Sequence, residues 1–270
     1  MFRARYLVRV PAILAGVPIP GSRNPFIAAP LTSLRLDVEL RECDAPRVEA
    51  RGVSSLEDRI NSLWSNLLEN MGLRFCSRVE LAEEGRVEET PLGGLYASVS
   101  SALYYALGEA HGEKLSPRDI VESLSLAEPM SLDESERTLV DSLRYSASSG
   151  SVVAYRDVDE VYEFKTVKLR SSISVKGRVY RQASALSRDA LSIDLYSSLV
   201  HLAGLAVLEI AEEVRDGVEL LDAIARRKQL LDAIAIAVWD LEKPPRDCLW
   251  SPSLPGLFEL LCVEEWRRGV

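Results

Sequence analysis

Thr90-Pro-Leu-Gly-Gly-Leu-Tyr-Ala-Ser-Val-Ser-Ser-Ala102 is the stretch on which the reading of this chain turns. A glycine pair followed by serines at the head of an apolar run offers free backbone N–H groups at the positive end of a helix, which suits a phosphate. A simple capped turn reads the same residues more plainly. The run onward to Leu107 is small and apolar on nearly all sides, which predicts a buried helix over 94–107 whose start faces a cleft between two halves of the protein.

Upstream, Arg5–Leu14 and Thr32–Leu40 read as strands, the second with Leu34, Leu36, Val38 and Leu40 on one face, and Arg47–Gly52 adds a third. Between the first two lies Gly16-Val-Pro-Ile-Pro-Gly-Ser-Arg-Asn-Pro25, whose prolines and glycines force an irregular loop. Ser54 or Ser55 opens a helix with a stripe of Ile60, Leu63, Trp64, Leu67 and Leu68 that stops near Gly72. Arg74–Ala82 returns as a strand and Glu83–Gly94 is a loop. Downstream, Ser116-Pro117 starts another helix, and the segment from Asp141 passes through Ser146-Ala-Ser-Ser-Gly150 into a strand, Ser151–Tyr155. Val161–Val179 reads as two short strands and Ala183–Leu241 as almost wholly helical. Leu-Leu-Asp-Ala-Ile-Ala occurs at 220–225 and again at 230–235, ten residues or close to three turns apart, so it marks one stripe of a long helix. These readings give two domains, 1–158 and 159–270.

At 270 residues, with 47% hydrophobic and 27% charged side chains, the chain can bury a large core. Its 41 acids against 32 bases give −9, which opposes capture of nucleic acid or of an anionic bilayer, and Arg226-Arg-Lys228 reads as one solvated helix face. The best membrane candidate, Ser197–Ala211, is fifteen residues long and holds His201 and Glu209, whereas a span needs about 20 apolar residues. No membrane segment is expected. Met1–Val10 alternates like a half-buried strand rather than a signal peptide, and the expected location is cytoplasmic. The scarcity of Asn and Gln beside abundant Arg suits a thermophilic source. Cys43, Cys76, Cys248 and Cys262 lack the spacing of a zinc knuckle or redox dithiol and read as buried reduced thiols; His111 and His201 lack partners for a metal site.

The 90–102 stretch resembles the phosphate loop of the GHMP kinases (galactokinase, homoserine, mevalonate and phosphomevalonate kinases), in which a proline precedes Gly-Leu-Gly-Ser-Ser-Ala at the head of a buried helix; Pro91, Gly93, Gly94, Leu95 and Ser98 match. Val10-Pro11-Ala12, then a loop and Pro25-Phe-Ile-Ala-Ala-Pro-Leu31, is similar to the amino-terminal motif of the mevalonate kinases. Asp141, the Ser-Ser-Gly150 turn and Val152-Val-Ala-Tyr155 resemble the family's catalytic aspartate, glycine turn and strand. The resemblance spans residues 5–156 and implies an α+β, two-domain GHMP-kinase-like fold with a helix-rich second half.

It also implies a function: ATP-dependent phosphorylation of a hydroxyl on a small metabolite, mevalonate-like first. By resemblance Gly93, Gly94, Leu95 and Ser98 cradle ATP, Ser98 and Glu128 (with Glu134 as a rival) hold magnesium, and Asp141 orients the attacking hydroxyl. Each carboxylate has a plainer reading as a solvated helix acid, and Arg144 and Arg156 read as surface ion pairs before they read as clamps on an anion. The chain departs from the family at several positions. Tyr96 stands for the third glycine and Ala97 for the first serine, no lysine occurs before Lys114, the Gly-Glu-His triplet is missing, and Ser251-Pro-Ser-Leu-Pro-Gly256 stands where a glycine-rich motif is expected. These departures support the alternative, a catalytically degenerate homologue serving as a binding or regulatory protein, with the Tyr96 ring as a plug in the phosphate space. The partner expected is a small molecule, with a homodimer left open.

Overall fold

The computed structural model describes residues 1–81, 89–167, 169, 172–182 and 193–268. The first sheet is built on one long antiparallel pair, β1 (Phe2–Ala15) and β2 (Phe26–Glu42), in register from Phe2↔Leu40 to Ala15↔Ile27. The register slips between Val10 and Pro11, where proline has no N–H to give the ladder. β2 also pairs antiparallel with β4 (Phe75–Leu81), which carries β3 (Val48–Arg51) parallel on its far side. At its other end Phe26–Ala28 pairs with β5 (Val152–Asp157), and β5 turns back into β6 (Glu160–Phe164), so residues 160–164 remain in this sheet.

Four helices cover one face: α1 (Glu57–Met71), α2 (Leu92–Ala110), α3 (Pro117–Ala127) and α4 (Glu134–Ser149). Two of their ends are marked in the sequence. Gly72 takes the left-handed C-cap of α1, and Ser116 with Asp119 makes a capping box ahead of Pro117. α2 is buried on every side except at Leu92, Tyr105, Glu109 and Ala110, with Leu103 2% and Leu107 0% exposed, as its uniform small-apolar composition requires.

The second half forms a three-stranded sheet, β7 (Ile173–Tyr180), β9 (Leu257–Val263) and β8 (Cys248–Leu254) in that order, with helices α5 (Ile193–Arg215) and α6 (Leu220–Trp239) and the short α7 (Glu264–Arg268). Both copies of Leu-Leu-Asp-Ala-Ile-Ala lie on α6, as one long helix demands. The reading of 183–192 as helix, and residues 83–88 of the Glu83–Gly94 loop, fall outside the described residues. The second core gathers Val207, Ile210, Ile224, Val238, Trp239 and Phe258 against Leu14 and Ile27 of β1 and β2, so the two long strands serve both halves. The Trp239 indole N–H donates to the Pro18 carbonyl at 2.7 Å, tying the 16–25 loop under α6. α5 is longer than the fifteen-residue stretch singled out in the sequence. Asp194–Arg215 is long and apolar enough for a membrane span by length and composition, but its Ala203, Val207 and Ile210 pack into this core.

The expectation of reduced thiols is corrected by the structure, where Cys43–Cys76 and Cys248–Cys262 are disulfides. Sequence spacing could not reveal them, because register makes the pairs. Cys248 lies directly opposite Cys262 in the β8–β9 ladder, and Cys43 follows the end of β2 beside the start of β4. Each closes a loop, of 14 and 33 residues, and restricts the unfolded chain by roughly 3–4 kcal/mol on the chain-entropy account.

α2 is seated by its glycines. A methyl group on Gly94 would lie 1.8 Å from the Pro11 carbonyl oxygen of β1, and one on Gly93 would lie 1.9 Å from the Ser253 carbonyl oxygen of β8. Gly94→Ala is therefore expected to lower the unfolding free energy by about 2–3 kcal/mol, as overpacking against backbone does. Urea denaturation measures it, and a variant as stable as wild type would show that the glycine is kept for something other than packing.

Candidate functional site

The start of α2 has no side-chain cap of its own, because Pro91 stands at the N-cap. The cap comes from the other half of the protein. The Leu92 N–H donates to both carboxylate oxygens of Glu259, at 3.1 and 3.2 Å, and the Gly93 N–H donates to Ser253 Oγ at 2.7 Å. Glu259 is fully buried on β9, accepts from the Ser253 hydroxyl at 2.6 Å and pairs with Arg178 of β7 at 2.7 Å. Arg178 also donates to the Thr90 carbonyl at 2.8 Å. A buried carboxylate is tolerable only with such a full set of donors, and the positive end of a helix is one of the few places that supplies them. The anion site offered by the Gly93-Gly94 helix start is therefore filled by the chain's own Glu259.

On the far side of α2 a second charge is enclosed. The Arg144 guanidinium, 0% exposed on α4, bonds to Glu128 just past the end of α3 and lies 3.3 Å from Asp141 one turn back. Tyr96 of α2, also 0% exposed, donates its hydroxyl to Glu128 at 3.0 and 3.1 Å, and Arg144 sits 5.6 Å from the centre of its ring. Burial works against the Arg144 charge, yet Tyr96, Glu128 and Asp141 around it outweigh that and hold the group above its ordinary value. Burial likewise pushes the Tyr96 phenol up, so it remains a donor. Burial raises the Asp141 carboxyl to about 6, against the pull of Arg144 and a hydrogen bond from Ser125.

Asp141 and Ser125 border a cavity of about 620 Å³ together with Arg23, Arg137, Thr138 and Arg156. Arg23 is already paired with Glu134 at 3.2 Å and Asp157 at 3.4 Å, and Arg156 with Glu160 at 3.1 Å.

The residues singled out in the sequence thus separate into two places. Glu128, Asp141 and Tyr96 converge, but around a guanidinium; Arg144, read as a surface pair, is the most buried charged group of the set. Gly93, Gly94, Leu95 and Ser98 do not border the Asp141 cavity. The Ser98 hydroxyl lies 2.6 Å from the carbonyls of both Arg9 and Gly94, inside the packing of α2 on β1. Magnesium does not fit these residues, because Ser98 is committed to backbone and Glu128 to Arg144 and Tyr96. Among the described residues no three His, Cys, Asp or Glu side chains are grouped to share a metal ion. The triphosphate does not fit either, since Glu259 and Ser253 hold the N–H groups it would need. Glu134, the rival ligand, is at the solvent-facing start of α4, bound to Arg23. Arg156 is the exposed pair expected of it, and Arg226, Arg227 and Lys228 are engaged with Glu213, Glu209 and Asp232 on α5 and α6. Glu259, Ser253 and Arg178 were missed, and one signal pointed to them: an acid in the middle of the apolar run Leu257–Val263 is costly to bury without a dedicated partner.

No protein-family model and no curated protein matches this chain. Solved structures do. Phosphomevalonate kinase of Streptococcus pneumoniae superposes with a TM-score of 0.57 at 12% identity, covering 99% of this chain and 94% of that one. A further structure of that enzyme holds phosphomevalonate and AMPPNP. Mevalonate kinase of Methanococcus jannaschii gives 0.58 at 10% identity over 98% and 92% of the two chains. Mevalonate diphosphate decarboxylase of Staphylococcus aureus gives 0.59 at 12% over 99% and 89%. At these identities the likeness speaks for the fold, and over nearly its whole length this chain has the α+β fold of the GHMP kinases.

Proposed function

We propose that this chain is a non-catalytic protein on the GHMP-kinase fold, acting by binding or regulation rather than by phosphoryl transfer. One observation carries this reading: the buried Glu259 carboxylate accepts the N–H at the helix start that a nucleotide phosphate would have to occupy. A phosphate entering there would meet a fixed negative charge at contact distance and would have to displace Ser253 and Arg178 as well. Arg144 deepens the reading. Glu128, which resemblance gives to magnesium, is paired with a permanent internal cation, and Asp141, given to the attacking hydroxyl, lies 3.3 Å from that same guanidinium.

The kinase reading keeps one observation in its favour. Asp141 borders a cavity, and a carboxyl that changes charge near 6 is within the range of a general base. Titration with Mg-ATP, followed by thermal unfolding, separates the two. A nucleotide present at a hundred times its Kd would stabilise the fold by about 2.7 kcal/mol. The expected result is no shift in Tm and no transfer of phosphate to mevalonate-like alcohols; a clear rise in Tm with Mg-ATP would return the chain to the kinases.

Asp141 gives a separate check. Its ordinary value of 3.8 is raised to about 6 in the folded protein, so the fold prefers the carboxyl protonated. Whatever stability this group lends is complete below about pH 4 and is lost as pH rises through 6. Asp141→Asn has no such loss. Its stability relative to wild type should improve between pH 4 and pH 7.5 by up to about 3 kcal/mol, read from urea curves at the two pH values. A difference independent of pH would mean that Asp141 is not held in this way.

A further inference from the structure

Helix α5 turns one side into the second core and leaves the other to solvent. Leu202, Leu205 and Leu208 are 39, 41 and 54% exposed, while Ala203, Ala206, Val207 and Ile210 between them are at most 1% exposed. At 100° per residue the exposed leucines fall within about 60° either side of Leu205, and Ser198, Leu205 and Glu212 recur at the seven-residue spacing of a helix seam. Charge is arranged along this seam by position. Asp194 stands at the amino-terminal end with His201 one turn before Leu205, and Glu209, Glu212 and Arg215 follow towards the carboxy-terminal end. Glu209 is held in place by Arg227 of α6 at 2.6 Å.

We propose that α5 is a homodimer contact, packing antiparallel on α5 of a second copy with Leu205 at the twofold axis. In that register Leu202 packs beside the second copy's Leu208, His201 stands beside its Glu209, and Asp194 is within one residue of the level of its Arg215. A parallel pair would place Glu209 and Glu212 against their own copies. The antiparallel pair separates these acids and opposes the two helix dipoles, each of which spans about 34 Å at 1.5 Å per residue. The occupant is therefore a second copy and not a bilayer. A membrane-surface helix is rich in Lys and Arg on its polar side, whereas this one carries Asp194, Glu209, Glu212 and Glu213 in a chain of net charge −9. His201, Leu205, Leu208, Glu212 and Arg215 of this seam, with Tyr162 of β6, border a cavity of about 650 Å³ between α5 and the β5–β6 hairpin, which the second copy would wall off.

Sedimentation equilibrium of the full chain at micromolar concentration tests this. The expected mass is about 60 kDa, twice the 29.9 kDa chain, falling to that of one chain in Leu205→Arg with the far-UV circular dichroism unchanged. Because 205 is exposed, Leu205→Cys serves as a second variant. Under oxidation it should cross-link to a covalent dimer, whereas Ser198→Cys should not, since antiparallel packing puts the two 198 positions about 21 Å apart. A wild-type chain that is monomeric overturns the proposal, including one that floats with phosphatidylglycerol vesicles instead. So does a dimer that survives Leu205→Arg, or one in which Ser198→Cys cross-links as readily as Leu205→Cys.

Discussion

The contact of Glu259 with the first turn of α2 is what the rest of the structure depends on. Two halves of the protein meet there: α2 is the most buried helix of the first half, and Glu259 and Ser253 lie on the hairpin of the second. Without a side chain at Pro91 to cap it, the helix would bury unpaired N–H groups, each costing about 1–3 kcal/mol. The hairpin supplies the missing acceptors and, through Arg178, the countercharge that makes a fully buried carboxylate tolerable. The Cys248–Cys262 disulfide fastens the hairpin at its open end, three residues before Ser251, and the hairpin turns back through Gly256, so the cap is delivered by a covalently closed unit.

The same economy of charge holds around Arg144. In a low-dielectric interior an unpaired guanidinium is prohibitive, and the two acids that face it cannot both ionise without it. Glu128, Asp141 and Arg144 therefore stand or fall together, with Tyr96 closing the cluster by its hydroxyl and its ring. A site that needs a metal has acids converging on a space; here the acids converge on a side chain that carries its own charge. The cluster leaves one carboxyl, Asp141, under strain from burial, and that carboxyl borders a cavity.

Much of this was legible in the sequence because it is local. The alternation in β2, the cap at Ser116-Pro117, the buried composition of α2 and the six-residue echo on α6 are properties of contiguous residues. What was not legible is made by register and by packing at a distance. Neither pairing of cysteines follows from their spacing, and the three strands of the second sheet come from positions 173, 248 and 257 onward, too far apart for any window to join. The glycines show the limit most clearly. Gly93 and Gly94 read as offering N–H groups to a phosphate, but what lies against them is the backbone of β8 and β1. The plug suggested at Tyr96 is likewise a buried ring, turned towards Glu128 and Arg144 while Glu259 occupies the helix start.

Hydrogen exchange at the Leu92 and Gly93 amides tests the internal cap most directly, because these are the two N–H groups that Glu259 and Ser253 claim. Both amides should exchange slowly in the protein alone, protected as buried hydrogen bonds are, and the rates should not change when Mg-ATP is added. Rapid exchange without ligand, converted to protection by nucleotide, would contradict the account and show that the helix start is an open phosphate site.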